Sequence, residues 1–212
     1  MMDDKAVVAD TVAWLERAVI GLNLCPFAKS VHVKGQVHYA VSRATSESDL
    51  LADLVSELKA LLAFDAKSRD TTLFIVPDYL QDFLDFNDFL DVADQALVDL
   101  DLDGVLQIAS LHPDYQFAGT RPDDVTNFTN RAPYPTLHLL REDSIDRAVD
   151  AFPNPESIFD TNMQTMQALG VAGWHALKVG PGNSAEVPVA GAEKLPGMPA
   201  DVASSDHDCA KN

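Results

Sequence analysis

The sequence predicts an α/β or α+β fold, a mixed sheet of about four to five strands with helices packed on it, in a single domain. Three observations carry this expectation. Short alternating or β-branched runs at 36–43, 71–76, 104–111 and 136–141 have strand character. Broad apolar stripes at helical spacing separate the first three of them. The last two runs are joined by a proline-rich loop instead of a helix, which breaks the strict alternation of a doubly wound sheet. At 212 residues and 47% hydrophobic content, the chain is long enough to bury one core.

Taken in order, residues 6–21 place Val8, Val12, Leu15, Val19 and Leu22 on one helical face, with Gly21 as a stop signal. The chain then passes through Asn23-Leu24-Cys25-Pro26-Phe27-Ala28-Lys29 to the first strand, where Val37, Tyr39 and Val41 point one way and His38, Ala40 and Ser42 the other. A helix over 46–64 starts at Ser46 and carries Leu50, Leu51, Leu54, Val55, Leu58, Leu61 and Leu62 as a broad apolar stripe. The compact run 71–76, stopped by Pro77, reads as a buried strand. Residues 78–97 form the next helix, with Phe83, Phe86, Leu90, Ala93 and Leu97 inward and Asp82, Asp85, Asp88 and Asp91 as a solvated face.

In the third strand Val105, Gln107, Ala109 and Leu111 share one face, and Leu106, Ile108, Ser110 and then His112 the other. A fourth strand follows at 136–141, then a short helix over 143–151 and a last helix over 155–169, entered by Asn154-Pro155 and stopped by Gly170. The globular domain is expected to span 1–179, with Trp174 and Leu177 docking on it. Residues 180–212, rich in Pro, Gly and Ala and acidic, read as a flexible tail, because they bury too little to offset ordering entropy.

Charge narrows the function. A net charge of −18 repels phosphate backbones and anionic lipid, so nucleic-acid and membrane-surface partners are not expected. The N-terminal residues lack the basic-then-apolar pattern of a secretory signal, and no apolar run approaches the ~20 residues of a membrane span. Cys25 and Cys209 do not make a disulfide framework, and a cytoplasmic location is expected.

The loop 112–135 concentrates the polar chemistry. Pro113, Pro122, Pro133 and Pro135 suppress regular structure, while Tyr115, Phe117, Phe128 and Tyr134 argue for a packed, ordered loop. Arg121 and Arg131, with Asn127 and Asn130, can hold a carboxylate or phosphate, because a guanidinium presents a planar donor fork and an amide both donates and accepts. The competing reading is that they brace the loop, Asp123 or Asp124 pairing Arg121 and Asn127 closing a turn. Cys25 is either a nucleophile activated by Lys29 or Arg131, or a buried packing residue. Ala28 stands where a CPxC redox pair would have its second cysteine, so disulfide exchange is not expected there.

Metal chemistry has weak support. His112, Asp114 and His138 could form a two-histidine, one-carboxylate set, but that set suits a β-barrel better than a helix-rich chain. Asp99, Asp101 and Asp103 open like a calcium loop, yet Ser110 stands where the bidentate Glu should be. No metal and no cofactor is expected.

Three blocks, GLNLCPFAKSV, HPDYQFAGT and DDVTNFTNRAPYPTLHLLRE, together resemble the bacterial domain-of-unknown-function family numbered 1415, over about 11–169. The resemblance implies that Cys25, His112, Asp114, Tyr115, Asn130 and Arg131 belong to shared motifs, and it implies no activity, substrate or cofactor. Two function classes follow from the residues. The first is a small-molecule-binding protein or enzyme, with Cys25 as nucleophile, His112 as its base, and Asp114, Tyr115, Asn127, Asn130 and Arg131 holding an anionic substrate. The alternative is a non-catalytic, acidic protein-interaction module. Convergence of Cys25, His112 and Arg131 in one concave pocket separates the two.

Overall fold

The computed structural model describes residues 2–151 and 154–183. Helix α1 (Asp4–Trp14) runs directly into a π-helical segment, Leu15–Ile20. There follow α2 (Ala28–Val33), β1 (Val37–Val41), α3 (Glu47–Ala63), β2 (Thr71–Ile75) and α4 (Phe83–Asp99). The second half holds β3 (Leu106–Leu111), a 3₁₀ segment (Val125–Asn130), β4 (Thr136–Arg141), α5 (Glu142–Asp150) and α6 (Ser157–Ala176). Among the described residues the strands form one mixed sheet in the order β1-β2-β4-β3, in a single α+β domain. β1 and β2 are parallel, and β4 lies antiparallel to both β2 and β3.

Register sorts the side chains onto two faces, because residues directly opposite across a ladder share a face. Leu73 pairs His138 and Ala109 pairs His138, so these three point the same way, together with Tyr39. Thr71, Leu140, Gln107, Ile75, Thr136 and Leu111 have the same parity. On the opposite face stand Phe74, Leu137, Leu139, Leu106 and, beyond the end of β3, His112.

Each face has its own core. Helices α3 and α4 cover the Phe74 face, where Leu50, Leu54, Leu58 and Leu61 interlock with Phe86, Phe89, Ala93, Leu137 and Leu139. Ser46 caps α3 by accepting from Asp49 N at 3.3 Å, as its position before the leucine stripe predicts. Helix α4 begins later than the expected 78. Asp82 is its cap, accepting from Leu84 N at 2.8 Å. The residues before it turn through Leu80, held at φ 55° with its side chain in the core.

α1, the π-helical segment and α6 cover the other face, packing Trp14, Leu15, Ala18 and Met166 against Leu73 and Ile75. Gly170 does break the last helix, at φ 64° and ψ 172°, but helix resumes to Ala176 and brings Trp174 edge-on to Phe128 at 5.2 Å between ring centres. The chain then stays attached. Lys178 O accepts from Arg17 Nη1 at 2.9 Å, Val179 is buried, and Gly182 N donates to Asp10 at 2.8 Å. Of the expected tail 180–212, residues 184–212 lie outside the described residues.

No helix among the described residues is long and apolar enough to cross a membrane.

Candidate functional site

His112 leaves β3 on the α4 face and is fully buried. Its Nδ1 accepts from Asp114 N at 3.0 Å, so the ring proton sits on Nε2 and is donated to Leu80 O at 3.1 Å. Phe83 and Phe86 pack on the ring with centroids 5.4 and 5.1 Å away. Burial pushes the imidazole pKa down, opposed by the bond to the Leu80 carbonyl. Both nitrogens are spent on backbone groups, so His112 ties the loop start to the turn before α4.

The remaining loop polar groups are also turned inward. Asn127 is fully buried, its Oδ1 accepting from Phe117 N (3.0 Å) and Thr120 Oγ1 (2.7 Å) while Nδ2 donates to Arg121 O (2.8 Å). Arg131 donates from Nε to Tyr115 O at 3.3 Å and from Nη2 to Pro122 O at 2.8 Å, with its guanidinium carbon 4.2 Å from the centre of the Phe128 ring. Burial lowers its pKa, with Asp114 opposing that shift. Asp124 caps the 3₁₀ segment through Thr126 N, and Arg121 pairs Asp123 on the surface. Tyr115 places its ring against Phe83 and Phe117, whereas Asp114 is exposed. A loop of this length has many backbone groups needing partners, and its arginine and asparagine supply them.

Cys25 belongs to the other side of the sheet. The π-helical segment widens the helix end so that Gly21 N bonds Glu16 O at 2.9 Å. A Cβ at Gly21 would lie 2.3 Å from Arg17 O, which explains the glycine. Asn23 then turns at φ 55°, and Leu24 enters the core with its carbonyl accepting from Asn162 Nδ2 of α6 at 2.8 Å. Cys25 is thereby set, half-buried, on the wall of a cavity of about 450 Å³.

The sheet lines the cavity floor through Leu73, Leu111, His138 and Leu140, and Trp14, Leu15, Val31 and Ile145 supply apolar walls. Polar groups enter from Cys25, Thr71, Asn130, Asp70 and Ser144. Of the residues read from the sequence as a site, the structure brings Cys25 and Asn130 to this cavity. His112, Arg131, Asn127, Asp114 and Tyr115 do not line it among the described residues. Asn130 spans both environments: its carbonyl accepts from His112 N at 3.2 Å, and its side chain makes no hydrogen bond among the described residues.

The histidine that shares the cavity with Cys25 is His138. Its Nε2 lies 2.8 Å from Thr71 Oγ1, and Thr71 Oγ1 donates to Leu139 O at 2.6 Å. Burial pushes the His138 pKa down to about 4, which keeps the ring neutral near pH 7. In the sequence His138 stands out only as a third candidate metal ligand. The alternation of 136–141, which sets His138 on the same face as Leu140, was the signal available. Among the described residues no group of three or more His, Cys, Asp or Glu is placed to hold a metal ion.

The fold is that of a single-domain α+β protein with a partly open, mostly apolar cavity on one face of its sheet. The chain belongs to the family described as "Protein of unknown function (DUF1415)", which matches residues 6–176 and so takes in the cavity and the braced loop together. No curated protein and no solved structure matches it.

Proposed function

We propose that this protein binds a small molecule in the cavity between the sheet and the α1, π-helical and α2 segments, acting as a cytoplasmic small-molecule-binding protein or enzyme. The observation that supports this is the cavity itself. At about 450 Å³ it falls within the range of ligand pockets, and it combines apolar walls with a few convergent polar groups, Cys25, Thr71, Asn130 and His138. The braced loop supports the site from behind, through Trp14 Nε1, which donates to Arg131 O at 2.8 Å. An anionic substrate clamped by Arg131 has no support in this arrangement, since that guanidinium is engaged by Tyr115 and Pro122 carbonyls.

The test uses a neutral, environment-sensitive naphthalene ketone dye, prodan. The wild-type chain is expected to bind it saturably at one site with a blue-shifted emission, and Ala28→Trp, which fills the cavity from α2, is expected to abolish that site while the chain still unfolds cooperatively. Dye emission unchanged by Ala28→Trp would count against the cavity as the site.

A second reading, the acidic interaction module, is favoured by a shallow groove of about 360 Å³ between α3 and α4. Leu51, Val55, Val92 and Leu100 line it beneath Asp91 and Asp99. A basic amphipathic peptide that binds and is lost on Val92→Asp would favour it.

A further inference from the structure

One polar group of the cavity wall, His138, is placed to accept a hydrogen bond, and this deepens the small-molecule reading, on which it rests. Thr71 Oγ1 has one proton, and that proton goes to Leu139 O at 2.6 Å. Its 2.8 Å contact with His138 is therefore accepted, which places the imidazole proton on Nε2 and leaves Nδ1 as a bare lone pair. Among the described residues nothing donates to Nδ1. Nor is it sealed away: among the described residues the occluded, unpartnered side-chain N and O atoms are Tyr39 Oη and Arg141 Nε, and His138 Nδ1 is not one of them.

Charge on the same wall points the same way. Among the described lining residues the one always-cationic side chain is Arg141, whose Nη2 caps the end of α3 through Leu61 O and Phe64 O. Asp70 also lines the wall, held by Ser144 Oγ at 2.7 Å. A ligand anion would meet the Asp70 carboxylate, while Arg141 has its Nη2 engaged by backbone carbonyls and its Nε occluded, so in a mostly apolar cavity the anion's desolvation would be only partly offset.

We infer that the ligand is a neutral, largely apolar molecule carrying a hydrogen-bond donor, an alcohol, phenol or ring N–H, which His138 Nδ1 accepts. Burial holds the His138 pKa near about 4, so the acceptor does not turn into a donor at physiological pH. A site that satisfies a ligand donor discriminates against the capped analogue, because the buried acceptor is then left unpaired.

The experiment compares three matched probes on the full chain by titration calorimetry at pH 7: 2-naphthol, 2-methoxynaphthalene and 2-naphthoate. The expected order is 2-naphthol tightest, at least about tenfold over the methyl ether, a difference of roughly 1.4 kcal/mol, with the naphthoate weakest. His138→Phe should remove the preference for the naphthol while still binding the ether. Equal affinities for naphthol and ether, or tightest binding of the naphthoate, would overturn the inference while leaving the cavity reading intact. If none of the three saturates, the cavity reading fails and the inference with it. The wild-type ratio decides the matter even if the variant does not fold.

Discussion

Cys25 and His112 lie on opposite sides of the same sheet. Cys25 lines a cavity floored by Leu73, His138 and Leu140, while His112 continues the parity of Leu106 and Ile108 and packs against Phe83 and Phe86 of α4. The single layer of the sheet lies between the cavity and that imidazole. A Cys25–His112 dyad is therefore not available to this fold, and His112 is a structural residue.

His112→Ala should destabilise the protein by about 2–4 kcal/mol, since it opens a cavity beside two phenylalanines and orphans Leu80 O and Asp114 N. Urea unfolding measures this. The same variant should retain probe binding in the Cys25 cavity; loss of binding without loss of stability would restore His112 to the site.

Asn127→Ala should cost a similar amount, about 2–4 kcal/mol, because Phe117 N, Thr120 Oγ1 and Arg121 O all lose a buried partner. Hydrogen exchange should rise across 113–130 and leave α3 protected. Uniform loss of protection over the whole chain would contradict a local brace.

Arg131→Lys should fail to rescue Arg131→Ala. An ammonium cannot bridge the Tyr115 and Pro122 carbonyls while stacking on Phe128, which a planar guanidinium does. Both variants should lower the melting temperature alike. Full stability of the lysine variant would mean that positive charge alone is what matters there.

His138 gives a pH signature. Its native pKa of about 4 lies below the ordinary value of 6.5, so the unfolded chain takes up a proton that the native chain refuses. Its contribution to stability is complete above pH 6.5 and is lost as pH falls toward about 4, with a slope of at most about 1.4 kcal/mol per pH unit. The wild-type minus His138→Gln difference in unfolding free energy should slope over that window and be flat above it. A flat difference throughout would show a solvated histidine.

Much of this was legible in the residues. The alternation of 105–111 already set His112 opposite Gln107 and Leu111, and Ser46 and the leucine stripe behind it marked α3. The face on which Cys25 would settle was not legible, because contacts distant in sequence decide it: Trp14 reaches Arg131 O and Asn162 reaches Leu24 O. Helix α2 went unread because its six residues bury no side chain and include β-branched Val31 and Val33. The loop's polar residues showed both a binding and a bracing reading, and backbone satisfaction in so long a loop took Asn127 and Arg131 for bracing.

The central claim, that the site is the cavity walled by Cys25, is tested most directly by peptide-resolved alkylation of native protein with iodoacetamide, with and without saturating prodan. The account predicts that Cys25 is modified without denaturant and that an occupied cavity slows the modification at least about tenfold, while N-acetylcysteine added to the same sample reacts at an unchanged rate. A Cys25 that reacts only after unfolding, or that reacts equally fast with the dye bound, would contradict it.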